Sequence, residues 1–324
     1  MRDPRGSSNN SSLSLGNTTF ALTDAAFSLL RELIEQRTGV VFDEAKRGLL
    51  ADKLSEPVAA NGLTSFLDYY YLLRYDENAE AHWAVLMDRL AVPETFFWRQ
   101  AEQILAVANV IAPAHFLAYP GRPLRIWSAG CCTGEEPISL AIALAEAGLL
   151  GKYPIDIAAT DGSAEMIARA RHGSYGERSF RQLPPALKAK YFREDVGDRW
   201  RPVDMLRKPI RWGVANLAVA DDVKRHSACD VIFCRNVFIY FSDDAIRSTV
   251  RWFTEFLSPD GFLFVGAAES LSRLGIELEL AEVGDAFTYV RLGRRAEVER
   301  MKSKPTDVGS SPVLIPSDGE VCPD

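Results

Sequence analysis

Between Leu124 and Leu140 the chain reads LRIWSAGCCTGEEPISL. Gly130 and Gly134 let the backbone turn tightly and approach a ligand, and Glu135 and Glu136 follow where a first helical turn would begin. A phosphate at such a turn wants bare backbone N–H groups and a lysine. Two carboxylates there suit a ligand that carries positive charge. Downstream, IDIAATD ends a second apolar run on Asp161, about 27 positions after Gly134, roughly the spacing at which a ribose-binding acid follows a glycine-rich turn. Strand, glycine turn and helix recur in many α/β folds, and acids near a helix N-terminus are ordinary dipole partners. The pairing with Asp161 is what points to an adenosine-bearing ligand. Dinucleotides and S-adenosylmethionine are both held this way, and the G-x-x-x-G form with its glutamate pair favours S-adenosylmethionine, which has an ammonium and a sulfonium.

Two further segments carry groups able to face the same crevice. In VPETFFWRQ, Val92 to Gln100, the aromatics Phe96, Phe97 and Trp98 read as core packing. Thr95 and Arg99 are different, because a guanidinium beside aromatics at a domain boundary must find a carboxylate or a ligand. In CDVIFCRNVFIYF, Cys229 to Phe241, a strand runs straight into Arg235-Asn236. Ligands of open parallel sheets bind outside the carboxyl ends of the strands, so this pair belongs at the edge that carries Gly130 and Asp161. Asn216 ends the strand before it, and Tyr240, just past the pair, suits packing or the site equally. Five cysteines without a paired C-x-x-C pattern predict free thiols, and they and the four scattered histidines predict no metal site.

Those segments need elements to hold them. Of the 324 residues 47% are apolar and 25% charged, which gives a chain long enough for about two domains. Residues 1 to 18, rich in Ser, Asn and Gly, are expected to be a disordered leader. Residues 19 to 92 are expected to form a helical domain, with stripes at Phe27, Leu30 and Ile34, at Leu49, Leu50 and Leu54, at Phe66, Tyr70 and Leu73, and at Trp83, Leu86, Met87 and Leu90 before Pro93. A helix near residues 101 to 116 leads into alternating strands and helices over 93 to 292, the pattern of a mostly parallel sheet covered on both faces. Residues 173 to 209 interrupt the rhythm as an inserted subdomain with a short helix and a hairpin. Residues 276 to 292 read as an antiparallel hairpin at the sheet edge, and 293 to 324 as a disordered tail. No run of about 20 apolar residues and no apolar leader core is present, which predicts a cytoplasmic protein without membrane insertion. A net charge of −7 disfavours a nucleic-acid partner.

Taken together and in this order, PETFFWR, RIWSAGCCTGEEPISLAI, AATD and FCRNVFIYF resemble the chemotaxis receptor methyltransferases, the CheR family, over about residues 20 to 292. The resemblance implies an α/β fold: a class I, Rossmann-like methyltransferase sheet domain with an inserted β-subdomain, preceded by an all-α domain. It implies S-adenosylmethionine as cofactor, S-adenosylhomocysteine as product, and glutamate side chains of the cytoplasmic helical domain of methyl-accepting receptors as acceptors, the enzyme acting as a monomer. It places Thr95, Arg99, Arg235 and Asn236 near the methionine end of the cofactor, Glu136 on its ammonium, Asp161 on the ribose, Asn216 and Leu217 at the adenine, Gly130 at the turn, and Arg99 with Tyr240 beside the transferable methyl.

The chain departs from that family at Pro93, where Asn is usual, at Trp98 for Phe, at Ser163 for a common Asp, and in GAAES, residues 266 to 270, for a GHSE-like run. Residues 20 to 92 hold 7 Lys and Arg against 12 Asp and Glu, and only Lys46, Arg47 and Lys53 cluster. Long-range attraction to an acidic coiled coil is therefore expected to be weak. The short stretch between Phe192 and Asn216 predicts an enzyme that needs no receptor tail peptide, in a system that need not be flagellar chemotaxis. A methyltransferase of small carboxylates and a noncatalytic module are the alternatives. An NAD-dependent oxidoreductase is disfavoured by the missing G-x-G-x-x-G.

Overall fold

The computed structural model describes residues 21–301. The expected leader lies outside these residues, as does the tail beyond Met301. Four helices, Asp24–Thr38, Arg47–Ala60, Phe66–Tyr75 and Ala79–Leu90, form the N-terminal unit. The first is capped at its start by Thr23, which accepts from the Ala26 N–H, and stopped by Gly39 at φ 77°, a left-handed conformation suited to glycine. Leu30, Ile34, Leu50, Leu54, Phe66 and Leu86 meet in its core. In the third helix the inward aromatic is Tyr69, fully buried, while the expected Tyr70 is half-buried. Positions three and four after Phe66 share a face, and only the neighbouring helices choose between them.

The second unit is built on nine strands: β1 Leu124–Ala129, β2 Ile155–Asp161, β3 Phe192–Asp195, β4 Arg199–Pro202, β5 Ile210–Val214, β6 Cys229–Cys234, β7 Leu257–Val265, β8 Leu278–Val283 and β9 Ala286–Arg291. Seven make one sheet in the order β5-β2-β1-β6-β7-β9-β8. The first five in that order are parallel, and β9 and β8 add an antiparallel edge hairpin. Every residue of β6 is buried, as a strand covered on both faces requires. The chain moves outward from β1 through β2 to β5 and then returns to the other side of β1 at β6. That reversal opens a crevice at the carboxyl ends of β1 and β6. β7 begins at Leu257, which pairs with Cys229 across a register shift.

Within residues 173 to 209 lie the helix Pro185–Tyr191 and the antiparallel pair β3-β4. This insert is pinned to the sheet domain by Phe97, whose ring lies 4.8–5.1 Å from those of Tyr175, Phe180 and Phe192. The helix Ala101–Ala118, with a π-helical turn at Val107–Ile111, is long and apolar enough to cross a membrane, but 61% of it is buried inside the protein as a core helix. The tail expected to be disordered from residue 293 begins instead with the helix Arg295–Arg300. There Val298 is fully buried and the Arg295 N–H donates to Glu279 Oε1 at 2.8 Å. One valine in a charged run is too faint a signal to reveal it.

Candidate active site

All ten residues singled out in the sequence, Thr95, Arg99, Gly130, Glu136, Asp161, Asn216, Leu217, Arg235, Asn236 and Tyr240, line one cavity of about 420 Å³. It lies at the carboxyl ends of the central strands and is closed on one side by the N-terminal helices. Gly130, directly after β1, has φ 77°, and a Cβ there would sit 2.5 Å from Val237 Cγ2. Gly134 has φ 95° and faces Trp212 at 2.8 Å in the same sense. Both the turn and its packing therefore demand glycine.

The two glutamates of the following helix separate in function. Glu135 is buried and accepts from Thr133 Oγ1 at 2.6 Å and Ser179 Oγ at 2.9 Å, so it ties down the insert, with burial raising its pKa. Glu136 faces the cavity. It accepts from Ser128 Oγ at 2.6 Å and from Arg235 Nε at 2.7 Å, an ion pair whose side chains are 12% and 3% exposed. Arg235 Nη1 reaches on to the Arg99 carbonyl at 2.9 Å and Gln103 Oε1 at 3.1 Å. Glu136 and Arg235, each expected to meet the ligand, also hold one another. Asp161, at the end of β2, accepts from the Cys132 and Ser163 N–H groups, both at 2.9 Å. Burial nonetheless raises its pKa above the ordinary carboxylate value.

Asn216 differs from its expected part. Its Nδ2 donates to the Arg37 carbonyl at 2.8 Å and its Oδ1 accepts from the Ala218 N–H at 3.0 Å, so the amide latches the N-terminal unit to the sheet. Leu217 is buried beside it. Asn236 stands at φ 59°, and its Oδ1 is buried with no hydrogen-bond partner among the described residues. Tyr240 is half-buried on the cavity wall, burial raising its hydroxyl pKa, while its carbonyl accepts from the Val41 N–H at 2.9 Å.

Arg99 is set apart by what it lacks. Its Nη1 donates to the Glu94 carbonyl at 3.0 Å and its Cζ lies 5.4 Å from the Phe96 ring centroid. The Glu94 carboxylate is taken by Arg178 at 2.9 Å and Arg181 at 2.7 Å. Among the described residues no carboxylate forms an ion pair with Arg99; burial and the neighbouring Arg235 pull its pKa below the usual arginine value. Its segment is held in unusual backbone geometry, with Trp98 at φ 68° and Gln100 at φ 52°. The Phe97 N–H donates to the Ser179 carbonyl at 2.8 Å and the Trp98 N–H to Ser139 Oγ at 3.0 Å. Such geometry persists only where its surroundings enforce it.

Sequence reasoning missed two contributors. The N-terminal helices supply wall residues, among them Lys46, Leu49, Lys53, Met87 and Leu90. Glu269, in the GAAES run, is buried and accepts from the N–H groups of Asn236, Gly266 and Ile239. Its signals were an acid among small residues after a strand and the place of GAAES against the family's GHSE-like run. Pro93 is exposed and does not line the cavity. Cys131, Cys132, Cys229 and Cys234 are free thiols, Cys322 lies outside the described residues, and no grouping suited to a metal ion occurs among those described.

The donor set suits a ligand with cationic and hydroxyl groups. Its acids are Glu136 and Asp161, Asn236 offers an orphaned acceptor, and Met87, Leu90 and Leu217 supply apolar walls, while an unneutralised guanidinium stands ready for an anion. Residues 93–285 match the CheR methyltransferase, SAM binding domain, and residues 25–91 the CheR methyltransferase, all-alpha domain. The chain is 34% identical over 254 residues to chemotaxis protein methyltransferase 2 of Vibrio cholerae, covering 78% of this chain and 88% of that one. It is 34% identical to the chemotaxis protein methyltransferase of Salmonella typhimurium, covering 80% and 88%, and 33% identical to that of Escherichia coli, covering 78% and 87%. A crevice built for a cationic adenosine ligand, set against a four-helix unit and matched along both units, places the chain in the CheR methyltransferase family, as an S-adenosylmethionine-dependent methyltransferase.

Proposed function

We propose that this enzyme esterifies glutamate side chains on the cytoplasmic helical domain of chemoreceptor-like proteins, acting in the cytoplasm as a monomer and yielding glutamyl methyl esters. The observation that carries the reading is Arg99: a guanidinium on the cavity wall, among the described residues without an ion-paired carboxylate, beside a carboxylate-lined pocket.

The residues present fit S-adenosylmethionine. Asp161 keeps acceptor capacity for ribose hydroxyls, and Leu217 with the Asn216 backbone borders the adenine side. Glu136 and the orphaned Asn236 oxygen take the ammonium, and Thr95 and Arg235 line the methionine end. When bound, the cofactor supplies a methyl carbon activated by its sulfonium. A glutamate is already anionic near neutral pH, so no residue need remove a proton from it. The protein's task is alignment: Arg99 grips the acceptor carboxylate and sets its angle, and Tyr240 closes the other flank. Lys46 and Lys53, which the N-terminal unit contributes to the cavity lining, support an acceptor that also contacts that unit over a small carboxylate.

Labelled methyl transfer from S-adenosylmethionine tests this, with a receptor helical domain in one arm and small carboxylates in the other. Base-labile label on glutamates of the helical protein is the expected outcome. Label confined to small carboxylates would overturn the reading. Adding a receptor tail peptide is expected to leave the rate unchanged.

A further inference from the structure

The geometry points to Glu269 as a positioning residue that holds the Arg235–Tyr240 loop in its ligand-binding shape, an inference that rests on the cavity being the S-adenosylmethionine site. Glu269 is 6% exposed and forms no ion pair among the described residues. Its Oε2 accepts from the N–H groups of Asn236 and Gly266, both at 2.6 Å, and its Oε1 from that of Ile239 at 3.2 Å. The first and third of these donors flank the loop that carries Asn236 and Tyr240 into the cavity, and the second is the residue just past the end of β7. One carboxylate thus ties together the carboxyl ends of two neighbouring parallel strands, β6 and β7.

Two features show that the surroundings are shaped for this clamp. Asn236 sits at φ 59°, a left-handed conformation that asparagine adopts more readily than most residues, and its N–H donates to Glu269 there. Gly266 leaves the room the carboxylate needs: a Cβ there would lie 2.6 Å from Glu269 Oε2 and 2.9 Å from Asn236 Nδ2. A parallel tie runs through Gln103, whose Nε2 donates to the Val265 carbonyl at 2.9 Å while its Oε1 accepts from Arg235. Glu269 touches the backbone of the loop, and Gln103 the side chain of Arg235. Without Glu269 three N–H groups lose their acceptor, and Asn236 is free to leave its left-handed conformation and carry its side chain away from the cavity.

The test compares the full chain with Glu269→Ala and Glu269→Gln, reading S-adenosylhomocysteine affinity by calorimetry, kcat and KM separately, and thermal unfolding. A glutamine oxygen can still accept from Asn236 and Gly266 and gives up only the long bond from Ile239. Glu269→Ala is expected to weaken S-adenosylhomocysteine binding about ten-fold or more per folded molecule, the scale of a sub-ångström misplacement, while Glu269→Gln stays within a few-fold of the parent. Amide hydrogen exchange at Asn236 and Gly266, slow in the parent, is expected to quicken in Glu269→Ala. Parental affinity per folded molecule in Glu269→Ala would overturn the inference, as would Gln and Ala variants that are equally impaired, since charge and not acceptor geometry would then be responsible. Should Glu269→Ala fail to fold, Gly266→Ala displaces the carboxylate and is read in the same way, so that unchanged exchange at Asn236 together with parental affinity overturns it. Failure of the parent itself to bind S-adenosylhomocysteine would instead sink the assignment of the cavity.

Discussion

At the scale of single residues, the sharpest consequence concerns Arg99. Glu136, Asp161 and Arg235 are already engaged within the protein, so removing Arg99 leaves them in place. Arg99→Ala is expected to abolish methyl transfer, by about 100-fold or more, while S-adenosylhomocysteine affinity measured by calorimetry changes only a few-fold. Loss of affinity equal to the loss of rate would show that Arg99 serves the cofactor and not the acceptor. A second residue governs behaviour in acid. The His226 ring stacks on Trp127 at 4.4 Å, and burial depresses its pKa from 6.5 to about 4. The unfolded chain takes up this proton near 6.5 and the folded one only near 4, so stability falls as pH drops through that window. Denaturant midpoints measured from neutral to acid pH are expected to show the fall, and His226→Phe, which keeps the stack, to flatten it. The site was legible at this scale because chemistry names itself by residue type. What Glu135, the neighbour of Glu136, does was not, since its bonds to Thr133 and Ser179 depend on where packing places those partners.

Among elements, the glycine turn after β1 and the latch between the two units decide whether the crevice exists. Gly130→Ala places a side chain in left-handed backbone, at about 1–2 kcal/mol, before the overlap with Val237 is counted. The variant is expected to lower the denaturant midpoint and weaken S-adenosylhomocysteine binding together; a midpoint equal to the parent's would contradict the steric reading. The latch is the short bridge in which Val40 pairs with Phe241, the Val41 N–H donates to the Tyr240 carbonyl, and the Ser242 N–H to that of Gly39. Asn216 reinforces it through the Arg37 carbonyl, and Asp88 through the Ser163 hydroxyl at 2.6 Å. Asn216→Ala is expected to cost roughly 1 kcal/mol and to speed hydrogen exchange at residues 40 to 42, with exchange elsewhere in the sheet unchanged. Periodicity located the four N-terminal helices and the alternation of strands and helices behind them. It could not announce this bridge, which joins residues about 200 positions apart through backbone atoms that no side-chain pattern encodes.

Over the whole molecule, charge and domain arrangement shape the encounter with an acceptor. The chain carries a net charge of −7 and its N-terminal unit is itself acidic. Steering toward an acidic helical protein is therefore confined to the local group of Lys46, Lys53 and Arg99 at the cavity. The specificity constant for such an acceptor is expected to change little, or to rise, as salt is added; a steep fall would reveal a basic docking surface that dominates association. The cavity is walled by both units, so ligand binding is also expected to stabilise the pair as one cooperative body.

The sequence by itself determined the class of the fold, the order of its elements, the glycine turn and the identity of polar groups that line the cavity, because those depend on local propensity, apolar period and side-chain chemistry. Tertiary structure alone decided that Glu136 is shared with Arg235, that Asn216 serves as a latch, that Glu269 clamps the loop behind the site, and that the N-terminal helices close the cavity. Each of these is a contact between segments far apart in the chain, and the energy of such a contact depends on where the rest of the molecule puts the two partners, which no run of neighbouring residues records.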